Sequence, residues 1–121
     1  MNGKRIWFFP DGERPPAGDS EMKGHESYIV LNPNKQDAHL TFTFYFEDKD
    51  PIRIDTMMVA AERVMCYQTH RPEHFGDHVI LIETQYAAMV ESDVPVIIQY
   101  GRLDARQVNL AYYTTMGYPG D

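Results

Sequence analysis

An apolar run at Val94, Val96, Ile97 and Ile98 gives way to Gln99, Arg102, Asp104, Arg106 and Gln107, side chains that each make several hydrogen bonds. Two of them are guanidinium forks, which keep their charge in any protein environment and present five donors in fixed geometry. Such groups are costly to bury without acceptors and suit polar ligands, so the chemistry indicated is recognition or internal stapling. Gln99 lies within the apolar stretch, where a buried amide must find partners, and it is the expected inward-facing contact. Arg102 and Asp104 admit two roles: ligand contacts, or an ion pair with each other that pins the strand end.

Other chemistries find less support. His70, His74 and His78 recur at every fourth position, a spacing that lines up three imidazoles on a helix. Pro72 and Gly76 interrupt that segment, however, and no H-x-H pair with a following Glu marks a cupin-like metal site. Glu47, Asp48 and Asp50 read as an exposed hairpin tip, where carboxylates lack the partner that general acid and base chemistry needs. Cys66 alternates within RVMCYQ and is expected to pack in the core rather than act as a nucleophile. There is no nucleophile elbow, phosphate-cradling glycine loop, CxxC pair or HExxH motif, so no catalytic residue, metal or cofactor is expected.

The elements that must position the polar cluster are strands. The clearest is 39–46, with Leu40, Phe42, Phe44 and Phe46 on one face and Thr41, Thr43 and Tyr45 on the other. Similar β-rich runs occur at 4–9, 27–31, 52–59, 63–68, 79–83, 87–91, 94–102 and 110–118. Turn chemistry separates them at Asn32-Pro33-Asn34, at 47–51, at His70-Arg71-Pro72 and at Ser92-Asp93-Val94-Pro95. About eight short strands with little or no helix predict an all-β fold, an antiparallel, jelly-roll-like β-sandwich occupying residues 1–121 as a single domain. One segment is irregular: 10–24, PDGERPPAGDSEMKG, reads as a long polar loop, either an exposed connection or a flap over a site.

Composition narrows the partners. A formal charge of -7 disfavours nucleic acid and anionic lipid, both of which call for a basic surface. A single cysteine excludes an internal disulfide and fits a reducing compartment. The start, MNGKRIWFFPDG, has too short an apolar stretch for a signal peptide, and no apolar run is long enough to insert in a membrane. The expected location is cytoplasmic.

Three blocks, IWFFPDGERPP, GHESYIVLNPNKQDAHLTFTFYFEDKDP, and SDVPVIIQYGRLDARQ followed by TTMGYP, resemble the sensory rhodopsin transducer family in order and spacing. The resemblance implies an intracellular β-sandwich that assembles as a homotetramer, binds a small polar metabolite such as a sugar, and signals through a protein partner. It carries ligand contact onto Trp7, His25, Glu26, Asn32, Arg63, Gln99, Arg102 and Asp104, and it also matches Gly12, Pro15 and Pro16. Where the family pattern has paired arginines, this chain has Glu62 before Arg63, and a further arginine is replaced by Gln68.

The residues themselves are compatible with that implication. Sugars are held by planar amides, carboxylates and arginines, with an aromatic ring on the apolar face. Trp7 is either that ring or simply core, and of the adjacent pair His25 and Glu26 at most one can face a given pocket. Tyr112, Tyr113 and Tyr118 on outer strand faces predict a homo-oligomer. Two rival readings remain: an oligomeric interaction protein without ligand, and a cupin-like metalloenzyme using His25 or the histidines 70–78.

Overall fold

The computed structural model describes residues 2–107 and 109–120. Eight strands are joined in antiparallel ladders: β1 (Lys4–Glu13), β2 (His25–Asn32), β3 (Ala38–Phe46), β4 (Ile52–Val59), β5 (Arg63–Gln68), β6 (Gln85–Asp104), β7 (Ala111–Met116) and β8 (Tyr118–Pro119). One turn of 3-10 helix at Pro72–His74 is the helical element among the described residues. The fold is the expected all-β sandwich.

The organising element is β6, which is 20 residues long and belongs to both layers. Its first half pairs β3 from Phe46↔Tyr86 to Leu40↔Ser92 and β1 from Glu13↔Gln85 to Ile6↔Glu91. Its second half pairs β2 from Leu31↔Ile97 to His25↔Leu103 and β7 from Gln99↔Met116 to Asp104↔Ala111. One layer therefore runs β4-β3-β6-β1-β8 and the other β5-β2-β6-β7. The sequence-derived strands 87–91 and 94–102 are thus one strand. The apparent turn Ser92-Asp93-Val94-Pro95 is the bend where β6 changes layer. The register with β1 slips between Lys4 and Ile6 at this point, as befits a bulge that accommodates Pro95.

Period-two patterning fills the space between the layers. Leu40, Phe42 and Phe44 of β3 face Tyr28 and Val30 of β2 and Ile98 and Tyr100 of β6, all essentially inaccessible to solvent. Phe42 makes edge contacts with Tyr28, Tyr67 and Phe75 at centroid separations of 5.4, 6.0 and 5.5 Å, the geometry in which aromatic quadrupoles attract.

Three local expectations are corrected. Residues 79–83 form no strand: Arg14 donates to the Ile80 carbonyl at 2.7 Å, the Glu83 amide donates to Arg14 O at 2.8 Å, and only Ile82 makes an isolated bridge. Cys66 is exposed, because Tyr67 takes the inward position of β5 and sends its neighbour outward. The loop begins later than position 10, since β1 runs on to Glu13 through a second register slip between Phe9 and Gly12. Its remainder is docked on the end of β6. Gly18 has φ of +74° and approaches so closely that a Cβ there would lie 2.3 Å from the Ala105 carbonyl oxygen.

Candidate functional site

Alternation along β2 turns Glu26, Tyr28, Val30 and Asn32 toward the interior, which places a carboxyl group in a fully buried position. Burying such a group is costly unless its oxygens are hydrogen-bonded, and here they are. Oε1 accepts from the Thr69 hydroxyl at 2.7 Å and the Tyr86 hydroxyl at 2.6 Å, and Oε2 accepts from the Tyr100 hydroxyl. Because the Tyr86 proton points to Glu26, the Tyr28 hydroxyl, 2.9 Å away, donates to Tyr86. Gly12 makes room for this network: a Cβ there would lie 2.4 Å from Tyr86 Cζ.

Tyr100 links that network to an open cleft of about 590 Å³ between β1, β7, β8 and the end of β6. Phe9 and Tyr100 form its floor, Phe8, Tyr113 and Tyr118 its aromatic walls, and Asp11 and Thr115 add polar groups. Arg102, one step along the same face of β6 from Tyr100, braces the rim. Its side chain is only 15% exposed; the guanidinium lies 5.0 Å from the Tyr113 ring centroid and donates to that residue's hydroxyl. It also donates to the Glu13 carbonyl at 3.3 Å and lies 3.8 Å from the carboxylates of Asp11 and Glu13. Aromatic faces beside a few hydrogen-bonding groups suit an amphipathic ligand with both a flat apolar face and hydroxyls.

The remaining sequence-derived contacts are scattered. Trp7 is core, its Nε1 donating to Val96 O at 3.0 Å and Lys4 O at 3.2 Å. Asn32 is buried and ties turns together, donating to the carbonyls of Gln36, Val59 and Ala60 and accepting from Asn34. Arg63 is exposed at the start of β5, bonded to the Glu62 carbonyl. Gln99 faces outward, level with Ile29 and Met116, because Ile98 and Tyr100 hold the inward positions. His25 points to the opposite side of β2 from Glu26. Asp104 pairs with Arg106 rather than Arg102, at 2.5 Å, and that guanidinium holds its carboxyl down to about 2. With Arg106, Gln107 and Asn109 it lines a separate depression of about 370 Å³. Glu26 and Arg102 thus lie behind and beside the cleft, whereas its lining residues Tyr100 and Asp11 carry no sequence-derived role, and Tyr113 and Tyr118, expected on outer faces, line it as well. Tyr100 stood within the polar motif itself, between Gln99 and Arg102.

The tyrosines of the network give the fold a defined alkaline limit. Burial raises the pKa of Tyr28, Tyr86 and Tyr100, with the neighbouring Glu26 carboxyl adding to the effect, and burial pushes Tyr67 up to about 12. Each phenol holds its proton more tightly folded than unfolded. The stability they contribute is therefore fully present below the unfolded phenol pKa of about 10 and is lost as pH rises beyond it. Urea denaturation across that range should show a falling midpoint above about pH 10, with phenolate absorbance from these tyrosines appearing only with unfolding. A midpoint flat through about pH 12 would contradict this assignment.

Among the described residues no helix is long and apolar enough to cross a membrane, and no group of three or more His, Cys, Asp or Glu is placed to hold a metal ion. No curated protein sequence matches the chain. Among solved structures, it is similar to the crystal structure of Thermotoga maritima 1070, with 32% identity, a TM-score of 0.88, and coverage of 99% of this chain and 97% of that one. It is also similar to the Anabaena sensory rhodopsin transducer, with 30% identity, a TM-score of 0.74, and coverage of 89% of this chain and 95% of that one. A sequence profile of the family described as Anabaena sensory rhodopsin transducer matches residues 2–119. The chain belongs to that family.

Proposed function

We propose that this protein is a non-enzymatic cytoplasmic sensor that binds a small sugar-like metabolite in the aromatic cleft and passes its occupancy to a protein partner. The observation that carries the reading is the cleft itself: tyrosine rings for the apolar face of a pyranose, with Asp11 and Thr115 beside them for its hydroxyls. Membership of a family named for a transducer supports the signalling half. Arg102 offers a route for the signal, because it touches both the cleft wall at Tyr113 and the Glu13 carbonyl at the root of the 14–24 loop. A ligand that binds more tightly with the loop docked than with it released shifts that equilibrium.

A thermal-shift screen of sugars, sugar acids and polyols tests this. A true ligand at about a hundred times its Kd stabilises by about 2.7 kcal/mol, a shift on the order of 10 °C for a chain of this size. Tyr118→Ala, at an exposed ring, should abolish the shift while leaving the unliganded Tm nearly unchanged. A screen in which no compound stabilises the protein would sink the sensor reading.

A second reading, assembly without ligand, is favoured by the outer face of the β5-β2-β6-β7 layer. Leu31, Val64, Tyr112 and Met116 are exposed there; Leu31 and Val64 align with Ile97, Met116 with Gln99 and Ile29, and Tyr112 with Leu103. Apolar surface of that kind marks an interface. We assign it to homo-oligomer contacts, with a tetramer as the expected state by light scattering and Val64→Asp as the dissociating change.

A further inference from the structure

In a chain of formal net charge -7, one cavity of about 300 Å³ is lined by the basic groups of Arg14, Lys23, His25 and His70 and by no carboxylate. Its size lies at the lower end of small-ligand sites, roughly 300–1,000 Å³. The four residues come from the end of β1, the loop that follows, the first residue of β2 and the turn after β5. Two fixed cations, Arg14 and Lys23, share the cavity without an acid, which costs electrostatic energy because like charges raise one another's free energy at short range.

Few protein acceptors compete for these groups. Arg14 is anchored through one nitrogen to the Ile80 carbonyl, and Lys23 donates to Gly18 O at 3.3 Å. Among the described residues neither has a carboxylate partner. His25 Nδ1 lies 2.9 Å from the Lys23 carbonyl, which can only accept, so Nδ1 carries a hydrogen, and Nε2 donates to an anion only in the imidazolium form. The His25 and His70 rings are 5.9 Å apart. His70 Nδ1 is buried with no hydrogen-bond partner, the one such side-chain atom among the described residues. That atom is enclosed by protein, so the ring lines the cavity through its other atoms.

The geometry points to a binding site for a phosphate group, free or esterified, held by Arg14, Lys23, His25 and His70. A tetrahedral dianion offers acceptors in several directions, which fits donors converging from separate segments better than a planar carboxylate does. Burial, and then the positive neighbours Arg71, His25, Arg14 and His74, lower the pKa of His70; a bound dianion opposes the second effect and lets the ring donate. The cavity shares no lining residue with the aromatic cleft, so this inference stands apart from the sugar reading. The two sites are nonetheless close in the chain: His25 and His70 adjoin Glu26 and Thr69, which are hydrogen-bonded to each other.

Calorimetric titration of the 121-residue chain with inorganic phosphate, at constant ionic strength in chloride, tests the site, with the histidine ring proton resonances followed in parallel. Saturable binding below about 10 mM, accompanied by shifts of the His25 and His70 resonances, is expected. Lys23→Gln and His70→Gln should each weaken it about tenfold, whereas Lys35→Gln, on an exposed turn away from the cavity, should leave it unchanged. The Tm of each variant without phosphate separates lost binding from lost folding. Glycerol phosphate in the same titration distinguishes the sources: tighter binding than inorganic phosphate identifies an esterified ligand, and equal or weaker binding identifies the free ion. No saturation in that range, or equal weakening by Lys35→Gln, would overturn the proposal.

Discussion

Glu26→Ala is expected to lower the Tm by about 12–20 °C, the consequence of losing about 3–5 kcal/mol. The side chain is fully buried and is the shared acceptor for Thr69, Tyr86 and Tyr100. Removing it strands three hydroxyl donors and leaves a void between the layers, and the two costs add because the surrounding aromatic core relaxes only in part. Glu26→Gln separates them. The amide fills the same volume and its oxygen can still accept from Thr69 and Tyr86, but its NH2 group meets the Tyr100 hydroxyl, which must turn its proton elsewhere. A smaller loss of about 1–2 kcal/mol, or about 4–8 °C, follows. Because the Tyr100 ring floors the cleft, the glutamine variant should also weaken cleft ligands without disturbing their stoichiometry. A Tm for Glu26→Ala within about 4 °C of the parent would show that the carboxyl group is dispensable to the core.

Glu26 also illustrates what a linear reading can reach. That it faces one way and His25 the other follows from strand alternation alone. Its partners do not: Thr69, Tyr86 and Tyr100 lie 43, 60 and 74 positions away, and no local spacing brings three hydroxyls to one carboxyl group. The core of β3 was legible for the opposite reason. Leu40, Phe42 and Phe44 repeat with the period of the pleat, and burial of one face is all that the pattern has to specify. The long strand β6 was not, because Ser-Asp-Val-Pro carries the same local chemistry whether the chain reverses or merely bends between layers. What distinguishes the two is long-range pairing, with Lys4 opposite Val96 and the Asn34 amide donating to Pro95 O at 2.6 Å. Phase errors explain Gln99 and Cys66: each was placed in a strand correctly, but which parity faces inward was decided by the bulkier neighbours Tyr100 and Tyr67.

Trp7 is where the structural and ligand-contact readings make opposite predictions. It sits in register with Val90 in the first half of β6, while its indole Nε1 reaches the Val96 carbonyl beyond the bend. One side chain therefore clamps both sides of the point at which β6 changes layer. It is 7% exposed and lines none of the clefts, so it has no face to offer a sugar. Trp7→Ala should cost about 3–5 kcal/mol, or about 12–20 °C in Tm, through the cavity it leaves. Trp7→Phe keeps most of the buried apolar area but removes the donor to Val96 O, and a loss of about 1–3 kcal/mol is expected. The discriminating measurement is ligand affinity in the folded Trp7→Phe protein, which should equal that of the parent for any compound found in the cleft. A stable Trp7→Phe variant that no longer binds would instead make the indole a contact, and would require the strand carrying it to open toward the ligand.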